Sequence, residues 1–205
     1  AADIQWRGTV SRSWNVGGNW DTGNIPSITD KAVLINTPGP NVDSTTNTSC
    51  NAISLGGTTG GELEVNGGAI STAGSWIILG YDAGTSGTMT INSGTVTAGT
   101  TMSVGFNGNG TLYMNGGTLN INGARFGIAR NSATSVGKVY LYGGVINCLD
   151  FTMATISGST AMLDITTGKL VINGDKTAVI SNYITNGWIT GYGSAGNVRY
   201  DYNTT

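Results

Sequence analysis

"GTLYMNGGTLNING" spans Gly110–Gly123. Close relatives of the phrase recur as "GELEVNGGAIST" at Gly61–Thr72, "GTMTINSGTVTA" at Gly87–Ala98 and "GKVYLYGGVINC" at Gly137–Cys148. A looser copy begins at Ala161, and the starts are separated by 26, 23, 27 and 24 residues. In each copy apolar residues alternate with polar ones (Leu63/Val65, Met89/Ile91, Leu112/Met114, Val139/Leu141, Leu163/Ile165). Period-2 alternation marks a half-buried strand. A glycine-bearing turn follows, then a second strand carrying Ile70, Val96, Leu119, Ile146 and Leu170. A third strand carries Ile77/Leu79, Met102/Val104, Phe126/Ile128, Phe151/Met153 and, in the last unit, Ala178/Ile180.

Strand-only units of this length predict an all-β, single-stranded right-handed parallel β-helix (a β-solenoid) with three short strands per coil. One coil cannot bury its own apolar face, so the phrase must repeat. Equivalent residues then stack about 4.8 Å apart along the axis. Asn66, Asn92 and Asn115 fall in one such column and predict an amide ladder. A sandwich or propeller would use Asn-Gly as hairpin turns, and Asn-Gly occurs at Asn66, Asn115, Asn122 and Asn173. The in-register repetition of a whole phrase favours translation along an axis instead. The expected organisation is one domain over 1–205. Residues 1–60 form an irregular N-terminal cap and first coils, 61–186 the regular coils, and 187–205 a C-terminal cap.

Composition narrows the function classes. The 205 residues include 34 glycines and three prolines; 39% are apolar, 10% charged, and the net charge is −2. That is too apolar and too weakly charged for a disordered chain. No basic patch suits nucleic acid, and no apolar run is long enough for a membrane span. Ala1-Ala2-Asp3 resembles residues that flank a signal cleavage site. With scarce charge and abundant Asn, Thr and Gly, it suggests a secreted or cell-surface protein. Two cysteines, Cys50 and Cys148, are too few for a disulfide scaffold. In register they sit about four coils, or roughly 19 Å, apart. A disulfide needs Cα atoms within about 7 Å, so two free thiols are expected.

Trp14, Asn19-Trp20, Pro26 and Asp30-Lys31-Ala32-Val33-Leu34-Ile35 resemble the opening of secreted bacterial parallel β-helix repeat domains. The stretch Asn182–Asn203 resembles the segment that closes such helices. Domains of that kind are attached to polysaccharide-degrading enzymes or belong to cell-surface proteins. The resemblance implies a catalytic domain in the same parent chain and a polysaccharide partner. Trp6, Trp14, Trp20 and Trp188 are expected to cap the open ends of the solenoid, where core and edge strands need cover.

No catalytic residues, metal site or cofactor are predicted. Histidine is absent, which removes Ser-His-Asp triads. The regular coils place no two carboxylates on adjacent ladder positions. Glu64 and Asp164 share a column four coils apart, and Asp150 lies beside Arg125, where an ion pair is expected. A lyase or hydrolase is therefore the third choice, and a stalk or adhesin segment the second. The first is a non-catalytic carbohydrate-binding module, because solenoid faces suit extended ligands and aromatic rings suit sugars. The predicted site is the edge of the third strand: Trp76, Tyr81, Phe106, Arg125 and Arg130. Trp76 and Phe106 are expected to stack on pyranose faces, with the arginines donating to oxygens. The alternative face is Tyr113, Tyr140 and Tyr142 beside the first strand.

Overall fold

The computed structural model describes residues 2–203; Ala1 of the Ala1-Ala2-Asp3 stretch and the last two residues of the expected C-terminal cap lie outside them. The chain forms stacked parallel coils, a β-solenoid of about 8 turns with 46% of residues in strands. The third strands build a seven-stranded parallel sheet: Asp3–Gln5, Lys31–Leu34, Ala52–Leu55, Ile77–Leu79, Thr101–Val104, Arg125–Ile128 and Phe151–Met153. The first and second strands form one continuous 11-stranded sheet. Their fusion is a departure from three separate short strands. Gly61–Thr72 and Ser86–Ala98 each run through both faces as single strands. The glycine turn is tight enough for the ladder to continue around the corner.

That corner explains the glycines of the repeated phrase. Gly68, Gly94, Gly117 and Gly144 all have positive φ, and they stack directly on one another. A Cβ on Gly117 would lie 2.6 Å from the carbonyl oxygen of Gly94 in the coil below. Backbone cannot yield as a flexible side chain can. Gly117→Ala is expected to cost about 1–3 kcal/mol from the left-handed backbone alone, and more from the contact. A thermal melt should show a clear fall; an unchanged midpoint would remove the corner from the account.

Inward columns make the core. Leu63, Met89, Leu112, Val139 and Leu163 stack in register on the first face. Ile53, Ile77, Met102, Phe126 and Phe151 do so on the third. All are buried, each worth about 1.5–3 kcal/mol of burial. The amide ladder forms as expected and begins one coil earlier. Asn66 donates to Asn41, Asn92 to Asn66 and Asn115 to Asn92, each at 2.7 Å.

Cys50 and Cys148 are free and buried. Burial pushes both thiols up to about 12, so almost no thiolate exists near neutral pH. Neither cysteine should alkylate in the folded protein at pH 8, and both should react after unfolding, as read by intact mass. Rapid native labelling would contradict their burial.

The N-terminal end is sealed by Trp6, Trp14 and Trp20, all essentially inaccessible. Trp20 meets Trp6 and Trp14 edge-on, with centroids 5.1 and 4.8 Å apart. Its Nε1 donates to the Trp14 carbonyl at 3.1 Å. Asn19 is also buried and fully used. Its Oδ1 accepts from the backbone of Val10 and Ser11, and its Nδ2 donates to Ser11 Oγ and Ser13 O. The Asn-Trp pair is thus a structural staple.

The C-terminal end corrects the sequence reading. Ala178 and Ile180 do not continue the third strand. Thr177–Thr185 is an α-helix. Asp175 Oδ1 accepts from the Thr177 amide and hydroxyl at 3.0 and 2.7 Å, fixing its start. Ile180, Tyr183 and Ile184, at helical spacing, pack on the core together with Trp188. The regular coils therefore end near Ile172 rather than at 186, and the helix belongs to the cap.

Candidate ligand-binding face

The outer surface of the seven-stranded sheet carries the predicted site. Along each third strand the inward residues are core, so Trp76, Thr101, Arg125 and Asp150 form one outward column. Ile78, Ser103, Gly127 and Thr152 form the next. The strands end at a left-handed corner occupied by Gly80, Gly105, Ala129 and Ala154, all with positive φ. This corner turns the following residue, Tyr81, Phe106 or Arg130, back over the sheet.

Trp76, Tyr81 and Phe106 come together as predicted, yet in a different way. They stack on each other: Trp76 on Tyr81 at 5.5 Å and Tyr81 on Phe106 at 6.3 Å, both inclined by 22°. Tyr81 is the middle ring. Trp76 and Phe106, at the ends of the stack, each keep one face away from it. All three are half-buried, and Ile78 beneath them is only 5% exposed. The rings expected to stack on pyranose faces thus also stack on one another. Lys31 places its Nζ 5.5 Å from the Tyr81 centroid while pairing with Asp3 at 2.7 Å.

Arg125 and Arg130 lie one coil beyond Phe106. Arg130 folds over Gly127, where a Cβ would come within 2.4 Å of its Cδ. Burial, and then the charge of Arg125, lower the pKa of the Arg130 guanidinium. The expected Arg125–Asp150 ion pair does not form. Their columns coincide, but Asp150 binds Lys176 at 3.2 Å, across the start of the helix that sequence reasoning missed. Beside the stack, Asn131 donates to Asn107 at 2.7 Å and Asn107 to the Tyr81 carbonyl at 3.1 Å. These amides hold the rim of the face.

The alternative face is also a stack. Tyr113 and Tyr140 are 5.1 Å apart and nearly parallel at 9°, and Tyr142 lies 5.8 Å from Tyr140. Tyr142 occupies the position that continues the asparagine ladder and is the most exposed of the three. Lys138 lies two residues before Tyr140 on the same outward face and is exposed, a single cation where the other face has an arginine pair. Glu64 pairs with Arg12 at 2.9 Å. Asp164, four coils away in the same column, accepts from Thr190 and the Gly193 amide.

One concavity was missed from sequence. A cleft of about 670 Å³ opens between Lys169–Ile172, the helix and the C-terminal segment. Its floor is the incompletely covered end of the core, including Leu170, Ile172 and Ile180, and Arg199, Tyr200 and Tyr202 line its rim. The exposed tyrosines near the C-terminus were its only sequence signal. No helix of the described residues is long and apolar enough to cross a membrane. Comparison with protein-family models, curated proteins and solved structures finds no match for this chain.

Proposed function

We propose that this chain is a non-catalytic carbohydrate-binding module. It holds an extracellular polysaccharide along the outer face of the seven-stranded sheet, for a catalytic domain in the same secreted or cell-surface parent protein. The observation that carries this reading is the Trp76–Tyr81–Phe106 stack, laid across two coils with two arginines on the next. Aromatic surface of this kind meets the apolar C–H faces of sugars, and polar groups around it orient the hydroxyls. A polymer is long and each coil is about 4.8 Å thick, so a face running along the axis engages several sugar units at once. Tethering raises the concentration of an attached catalyst at the polymer surface.

A rigid stalk or adhesin segment is the competing reading. It is favoured by the amide ladder, which stiffens one edge of the coils without serving a ligand. Affinity electrophoresis through gels containing neutral, carboxylated or sulfated polysaccharides separates the two. A binding module is retarded by at least one polymer. Unretarded migration through all of them favours the stalk, and release of reducing or unsaturated products would favour a lyase or hydrolase.

A further inference from the structure

We infer that the arginine end of this face is an anion berth, and that the polysaccharide it takes is acidic, bearing carboxylate or sulfate groups. The inference rests on reading the face as a glycan site and names the chemistry of its ligand. Among the described residues the ion pairs join Arg12 to Glu64, Lys31 to Asp3 and Lys176 to Asp150. None involves Arg125 or Arg130. Two guanidinium groups thus share one coil, and Asp150, the carboxylate that follows in Arg125's column, is paired with Lys176, in a protein whose net charge is −2. Their mutual repulsion is relieved by an anion between or above them.

A second observation is independent of charge. Four buried side-chain polar atoms lack a protein partner among the described residues, and three of them lie here: Ser103 Oγ, Arg130 Nε and Thr152 Oγ1. Ser103 and Thr152 flank Gly127 in one outward column on successive coils, and Arg130 lies over that glycine. Ser103 is 1% exposed. Buried polar atoms are rarely left without a partner, and here two hydroxyls and the Nε of Arg130 fall around one strand glycine. Each can donate a hydrogen bond, and an anion reaches them when the flexible Arg130 side chain shifts from over Gly127. Anionic oxygens accept several at once, and the planar guanidinium fork matches a carboxylate or sulfate. Lys31, beside the Tyr81 ring, already has its counter-charge in Asp3. Acidic groups should therefore favour the arginine end while the rings carry the apolar parts of the sugar.

Gly127 provides a test that leaves the core intact. It lies within a strand and has no positive φ. The three atoms nearest to a methyl group there all belong to the flexible Arg130 side chain, which must move. The intact protein is titrated with galactan, polygalacturonate and sulfated galactan. At least one acidic polymer should bind about tenfold or more tightly than galactan, a gap of about 1.4 kcal/mol. Raising salt from ~0.05 to ~0.5 M should erode that preference, since screening shortens from above 10 Å to a few Å. Arg125→Gln with Arg130→Gln should reduce acidic binding to the galactan level. Gly127→Ala should weaken it several-fold with an unchanged melting temperature. The acidic polymer preferred identifies carboxylate or sulfate as the group held.

Equal binding of galactan and the acidic polymers, or acidic binding untouched by the double variant, would overturn the berth. If Trp76→Ala still abolished binding, the glycan reading would survive that outcome. Acidic binding lost in the double variant but indifferent to Trp76→Ala would keep the berth and remove the stacking platform. No binding to any of the three would overturn both.

Discussion

Trp20→Ala should destabilise the protein by about 3–5 kcal/mol, the range for deleting a large aromatic from a packed core. Trp20 is 2% exposed and stands between the other two cap tryptophans. Its removal takes away both edge-on contacts, each worth about 0.5–1.5 kcal/mol beyond area. It also removes the Nε1 bond to the Trp14 carbonyl. Trp14 Nε1 already lacks a protein partner, so the cap has little reserve. The first coil would lose its cover, leaving Ile4 and Ala32 facing water or a collapsed loop. Equilibrium denaturation should show the loss in the midpoint. A change below about 1 kcal/mol, the cost of an ordinary substitution, would mean that the first coil is closed by something other than the tryptophans.

Trp76→Ala should weaken polysaccharide binding about thirtyfold or more, corresponding to ~2 kcal/mol for an aromatic anchor. Trp76 ends the ring stack and is half-buried. Its truncation removes the ring that supports Tyr81 and opens Ile78, so a modest fall in stability accompanies the loss of affinity. Circular dichroism of the variant should remain that of a β-protein with little helix, because the described residues of the wild type form one nine-residue α-helix. Tyr113→Ala and Tyr140→Ala should leave affinity nearly unchanged. The opposite pattern would move the ligand to the first-strand face.

The register was legible because the repeated phrase fixes it twice, through alternating apolar residues and through a glycine that tolerates no Cβ at the corner. Every aligned column of the first strand, from Leu63 to Leu163, pairs as the phrase predicts. The free, distant cysteines follow from the same alignment. The helix was missed because Thr177, Val179, Ile180 and Ile184 are β-branched and read as strand. The signal against that reading was the spacing of Ile180, Tyr183 and Ile184, which suits one helical face. Once the chain turns into a helix, Lys176 reaches Asp150, and the ladder pairing with Arg125 loses its partner.

The site was legible as a set of neighbours but not as a geometry. Columns place Trp76, Tyr81, Phe106, Arg125 and Arg130 together. They do not say that rings one coil apart stack on each other, as Tyr81 does on Phe106. Nor do they show that Gly127 makes room for Arg130, since a strand glycine reads as a weak point in a sheet. That detail depends on the left-handed corner at Ala129, a backbone feature alanine seldom marks.

Backbone-amide chemical-shift mapping during titration with the polysaccharide that retards the protein tests the central claim most directly. The account predicts that the largest shifts cluster on Trp76, Tyr81, Phe106, Arg125 and Arg130, with Tyr113, Tyr140 and Tyr142 unmoved. Shifts centred on the tyrosine face or the C-terminal cleft, with the Trp76–Arg130 face silent, would contradict it.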